Sequence, residues 1–156
     1  MEKHELNSNL PSEQFVGEFI GTMQQSVIIV WQYHLSGSVD YSTHLILDDY
    51  YKNMPELIDR FAEEWMGVSG EKIAYYSNII DKQDDNYIKY LTMLRNYADE
   101  FSRLFVENQC IQSNVHSIIG LINSTLYKLN QLCGCNNCHN SIKDNIISLS
   151  DFVVKF

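Results

Sequence analysis

Residues that break a chain are scarce, with two prolines and seven glycines in 156 residues. Long apolar runs are missing too. The longest, Val27 to Trp31, is far too short to span a bilayer, which excludes a membrane helix. Lysine and arginine number 11 against 20 aspartates and glutamates, for a net charge of -9. Non-specific affinity for nucleic acid comes from clustered Lys and Arg, so this balance excludes a broad phosphate-binding surface and general nucleic-acid binding. The start, Met1-Glu2-Lys3-His4, has neither the charge pattern nor the apolar block of a signal peptide. The expectation is a soluble, cytoplasmic chain whose four cysteines stay reduced. There is no glycine loop to cradle phosphate, no nucleophile elbow, no internal repeat and no low-complexity tract.

What is present is apolar content, 45% of the chain, with few interruptions. That composition predicts an all-α single domain over residues 1–156. Ser12 is placed to cap a first helix that carries Phe15, Phe19, Met23, Val27 and Trp31 at helical spacing. Ser36-Gly37-Ser38 ends it, and Asp40 caps a second helix running to about Gly67. The stripe of that helix is Leu47, Tyr50 or Tyr51, Met54, Leu57 or Ile58, Phe61 and Trp65. Pro55 falls inside it and predicts a kink or a break, because proline removes a backbone hydrogen bond and clashes with the preceding turn.

A short helix is expected at Glu71–Ile80, followed by a charged loop over Asp81–Asp85. A third long helix is expected from Tyr87 to about Asn108, with Leu91, Leu94, Ala98, Phe101 and Phe105 on one face. A fourth, from Ile111 to Leu132, carries Val115, Ile118, Ile119, Ile122, Leu126 and Leu129. A Cys-rich turn and a short final helix complete the chain over 133–156. Four long amphipathic helices over about 12–132 predict a four-helix bundle.

Two clusters carry chemistry. His34 lies in the last turn of the first helix and His44 in the first turn of the second, so a short hairpin brings two imidazoles together; imidazole is a common ligand of iron and zinc. Asp59 and Glu63 are four apart and share a helical face, the spacing with which two carboxylates grip a cation. Fifteen residues separate His44 from Asp59, roughly 22 Å along a straight helix. A site using both pairs therefore needs two subunits related by a two-fold axis, unless Pro55 folds the helix back. The second cluster is Cys133, Cys135, Cys138 and His139, a C-x-C-x-x-C-H run with the ligand types of a zinc site. Partly buried free thiols are the alternative there. Cys110 is too distant along the fourth helix to complete that site in the same chain. The ten tyrosines suit either subunit interfaces or the rim of the core.

The stretch W-Q-Y-H-L-S-G-S-V-D-Y-S-T-H, then L-I-D-R-F-A-E-E-W-M-G, within Trp31 to Gly67, resembles the helix-turn-helix segment of the Dps-like mini-ferritins. It resembles still more the small ferritin-like proteins of viruses and phages. His44, Asp59 and Glu63 match the family spacing without gaps. The gapless match to the first histidine of typical mini-ferritins is Gln32, whereas the shorter turn of the viral proteins aligns His34. A weaker likeness covers Asn114 to Leu129. Pro55 departs from the family pattern, as do His116 and Ser117, which stand where the viral group tends to carry acidic residues. His116, among Val115, Ile118 and Ile119, suits a hydrogen-bonded core residue, with an extra ligand as the alternative.

The resemblance implies a ferritin-like fold and catalytic iron sites of His34, His44, Asp59 and Glu63 formed between subunits. It further implies oxidation of Fe(II), and assembly as at least a dimer, with the twelve-subunit shell of the mini-ferritins as the larger alternative, in a host cytoplasm if the chain is viral. The alternative function is a non-catalytic ferritin-like module, structural or interacting, with a degenerate metal site.

Overall fold

The computed structural model describes residues 10–36, 39–74 and 86–132. The cysteine cluster at Cys133–His139, the short final helix and the charged loop at Asp81–Asp85 lie outside the described residues, as does most of the helix expected after Glu71. Among the described residues there are four long α-helices and no strand: α1 (Glu13–Leu35), α2 (Tyr41–Ser69), α3 (Tyr87–Ser102) and α4 (Gln109–Leu132). A single 3-10 turn, Arg103–Phe105, follows α3.

The helix starts follow from local chemistry. Ser12 is extended, and its hydroxyl accepts the Phe15 N–H at 3.3 Å. Asp40 accepts the Thr43 N–H at 2.9 Å and the Thr43 hydroxyl at 3.0 Å. Those bonds, the backbone one first, hold the Asp40 carboxyl below the usual range. Asn86 caps α3 through the Lys89 N–H. Gly70 ends α2 with φ 73°, a left-handed conformation that glycine adopts without a Cβ clash.

Ring contacts give the directions of the helices. His34 meets His44, Ser26 meets Tyr50 and Phe19 meets Phe61, so α1 and α2 are antiparallel. Phe19 stacks on Phe101 while Tyr33 meets Tyr87 and Tyr90, so α1 and α3 are antiparallel too. Lys128 near the end of α4 pairs with Asp49 near the start of α2 at 3.0 Å. The bundle therefore runs up, down, down, up, with α1 against α2, α2 against α4, and α4 against α3. Since α2 and α3 point the same way, one long crossover, 70–86, must return the chain to the opposite end. Its first residues cross α1 at Gly17, where a Cβ would lie 2.5 Å from the Ala74 carbonyl oxygen.

The core is layered by chemistry. At one end Phe19 and Phe101 lie face to face, centroids 3.8 Å apart, with Phe61 edge-on to both and Phe105 edge-on to Phe61 and Phe101. Midway, the buried Ser26 and Tyr50 hydroxyls bond at 2.8 Å. At the hairpin end are Tyr33, Tyr87, Tyr90 and the two histidines.

Four expectations need correction. Pro55 neither breaks α2 nor starts a new helix: α2 is one α-helix through it. Leu47, Tyr50, Met54, Ile58, Phe61 and Trp65 stay buried in phase across it, and Pro55 itself is exposed, so the cost falls on the solvent side. Glu71–Ala74 is not helical; the left-handed Gly70 has already turned the chain. The α1 stripe expected from a strict four-residue step precesses about 40° each time. Its ends accordingly leave the core, with Phe15 37% and Trp31 49% exposed, and the buried face is instead Val16, Phe19, Met23, Ser26, Val30 and Tyr33. His116 is exposed rather than a core residue. One step beyond the buried Val115, it is turned about 100° from that residue and further still from Ile118 and Ile122.

A histidine pair at the α1–α2 hairpin

The hairpin does bring His34 and His44 together. Their rings stack with centroids 3.7 Å apart and planes 26° from parallel. His34 is buried, at 8% exposure, and His44 is half-buried. His34 Nδ1 lies 3.1 Å from the His44 carbonyl oxygen, an acceptor only, so Nδ1 carries the proton and donates. In the neutral ring Nε2 is then left with a free lone pair, the form that ligates a metal. Nearly parallel rings send their in-plane lone pairs along nearly parallel lines. For one ion to lie in both planes, the more exposed His44 ring must turn.

Around the pair lies a group that the sequence reading did not single out. Tyr51 meets the His34 ring edge-on at 5.2 Å and lies 6.4 Å from the Trp31 ring. Its hydroxyl donates to Asp48 Oδ1 at 2.6 Å, and Lys52 Nζ donates to Asp48 Oδ2 at 2.6 Å. The Lys52 and Tyr51 hydrogen bonds hold the Asp48 carboxyl below its ordinary range, Lys52 contributing most. The same carboxylate raises both the Tyr51 phenol and the Lys52 ammonium. The spacing His44, Asp48, Tyr51 marks one helical face and was the available signal.

Asp59 and Glu63 are both exposed on α2. Asp59 lines a shallow groove between α1 and α2 with Ile20, Gln24, Val27, Pro55, Ile58 and Ala62. Because α2 is uninterrupted, the distance of roughly 22 Å between His44 and Asp59 stands. The structure does not bring the two pairs together within one chain. Among the described residues, no three His, Cys, Asp or Glu side chains group to hold a metal ion. Gln32, the other match to the first family histidine, is exposed, and so is Cys110. No described helix is long and apolar enough to cross a membrane.

Residues 34–129, from His34 to the last turns of α4, match the model of a family of unknown function, DUF5856. The chain belongs to that family. It is also similar to a protein of Enterobacteria phage T4, the uncharacterized 14.6 kDa protein in the mobD-ri intergenic region. The two are 28% identical over 115 residues, which cover 72% of this chain and 85% of the phage protein. No solved structure matches the chain.

Proposed function

We propose that this chain is a ferritin-like protein of the Dps type that binds and oxidises Fe(II) at sites shared by two copies. The observation that carries the reading is the His34–His44 contact at one end of a continuous α2, with Asp59 and Glu63 on the same helix toward its other end. A two-fold axis crossing α2 at about the level of Lys52 would bring the carboxylate pair of a second copy to the histidine pair of the first. The up-down-down-up order with a single long crossover supports the ferritin-like assignment, since that is how ferritin-like bundles are connected. The outer face of α1 and α2 supports pairing: Ile28, Trp31 and Leu35 are exposed beside the groove at Val27, Pro55 and Ala62.

Iron is the substrate in this reading. Neutral imidazoles suit Fe(II), while carboxylates favour the harder Fe(III). Each Fe(II) gives one electron to dioxygen or peroxide, and the negative charge of the chain draws in further cations. Zinc at Cys133, Cys135, Cys138 and His139 stays a separate proposal on residues outside the described part.

A second reading has its own support. His34 is buried, hydrogen-bonded and stacked on His44, so the two rings already satisfy each other as a clasp for the hairpin. In that case the chain is a ferritin-like structural or interaction module, which suits its likeness to a phage protein. Anaerobic Fe(II) titration with mass measurement separates the two. The first reading expects stoichiometric Fe(II) binding by a dimer or larger assembly of the 18.2 kDa chain, up to about 220 kDa for twelve copies. Binding is lost in His44→Ala and in Asp59→Ala. A monomer that binds no Fe(II) leaves the clasp.

A further inference from the structure

A cleft of about 360 Å³ opens where the start of α1 meets the end of α2, at the end of the bundle away from the histidines. Leu10 and Pro11 line it together with the Trp65 indole, and the exposed Glu13 and Glu71 stand at its rim. Trp65 is 1% exposed, yet among the described residues no acceptor reaches its indole N–H. A buried donor without a partner is costly, so native chains rarely keep one unless something else supplies the acceptor. The hydroxyls lining the same cleft accept backbone N–H groups instead: Ser12 that of Phe15 at 3.3 Å, Ser69 that of Glu71 at 3.1 Å. Neither Glu13 nor Glu71 forms an ion pair with another described residue. The positive start of α1 and the negative end of α2 lie side by side here and offset each other, so the two carboxylates set the sign of the cleft. It offers a buried donor, an apolar wall and a negative rim.

We propose that this cleft binds an α-ammonium group with a carbonyl oxygen next to it, the pattern shared by a free amino acid and a peptide N-terminus. The ammonium sits between the Glu13 and Glu71 carboxylates, the carbonyl oxygen accepts the Trp65 N–H, and the adjoining side chain packs on Leu10 and Pro11. Each feature of the cleft then has a counterpart in the ligand. The volume is at the lower end of small-molecule sites, which suits one or two residues. Glu13, Trp65 and Glu71 are not among the iron-binding residues, so the proposal holds or fails apart from iron binding.

Titrating the whole chain with L-leucinamide, followed by proton–nitrogen correlation spectra, tests it, because the two indole N–H groups give separate signals that Trp31→Phe assigns. The Trp65 signal should shift and saturate, while that of Trp31, 49% exposed and on the outer face of α1, should stay in place. N-acetyl-L-leucinamide keeps the carbonyl and the side chain but lacks the charge. It should bind at least about fivefold more weakly, and so should leucinamide to the double variant Glu13→Gln with Glu71→Gln, since two exposed ion pairs together are worth about that factor. L-leucine separates the two sources: binding as tight as that of leucinamide assigns a free amino acid, and weaker binding, from its carboxylate beside two glutamates, assigns a peptide N-terminus. A Trp65 signal that does not saturate would overturn the proposal. So would equal binding of the N-acetyl compound, or wild-type binding by the double variant.

Discussion

The Ser26–Tyr50 hydrogen bond allows a prediction in which the two partners are not equivalent. Ser26 Oγ lies 2.6 Å from the Met23 carbonyl oxygen and 2.8 Å from the Tyr50 hydroxyl, all within the buried α1–α2 interface. Serine has one proton, and a carbonyl only accepts. Ser26 therefore donates to Met23, and Tyr50 donates to Ser26. Removing the serine hydroxyl strands a phenolic donor that is fully enclosed, with its pKa already pushed well up by burial. Removing the tyrosine hydroxyl leaves Ser26 still bonded to Met23, with only a spare lone pair unfilled. Ser26→Ala should cost about 1–3 kcal/mol, the penalty of a stranded buried donor, and Tyr50→Phe about 0.5–1.5 kcal/mol. The double variant should cost less than the sum by about 1 kcal/mol, because no stranded donor remains. Urea unfolding of the four proteins, followed by circular dichroism, gives all the terms. A larger loss in Tyr50→Phe than in Ser26→Ala, or strict additivity, would refute the assigned donor directions.

Three other outcomes follow from the fold. Pro55→Ala should stabilise the chain by about 1–2 kcal/mol, since an exposed proline inside a continuous helix carries a cost that exceeds its effect on the unfolded state; a loss in urea unfolding would mean that Pro55 serves the fold. Gly17→Ala should cost about 1–3 kcal/mol, because its Cβ meets a backbone oxygen that moves only with the crossover; wild-type stability would remove that contact. Burial raises the Tyr97 phenol from 10.0 to about 12 and the Tyr50 and Tyr90 phenols likewise upward. A folded pKa above the unfolded one stabilises below pH 10 and is lost as pH rises toward about 12. The phenolate absorbance of these three should therefore appear together with loss of helical signal, not ahead of it.

Most of the fold was legible because local chemistry and periodicity agree with the packing. Ser12 and Asp40 mark their helix starts through side-chain oxygens, the α3 stripe falls on buried residues, and the α4 stripe falls on buried residues apart from the half-buried Ile119 and Leu126. Periodicity alone did not choose between Tyr50 and Tyr51. The packing assigns Tyr50 to the core and Tyr51 to the His34 edge. Pro55 misled because local propensity ignores the tertiary burial that holds both halves of α2 in one stripe. His116 misled because apolar sequence neighbours do not share its side of the helix. At the site, the histidine contact was legible from a short hairpin between capped helices. Tyr51 and Asp48 were not, because a carboxylate and a tyrosine at helical spacing are common on any helix. The long crossover was visible only as weak pattern, yet it makes the up-down-down-up order possible.

The central claim is that the histidine pair of one copy and the carboxylate pair of another form one Fe(II) site. Mixing two variants tests it most directly: His34→Ala with His44→Ala in one, Asp59→Asn with Glu63→Gln in the other. Each variant alone should bind no Fe(II) in an anaerobic titration. After subunit exchange at equal concentrations, half of the dimers are mixed and each holds one intact site, so about one quarter of the wild-type Fe(II) sites should return. Mixtures that form hybrid dimers yet recover no Fe(II) binding would contradict the shared site.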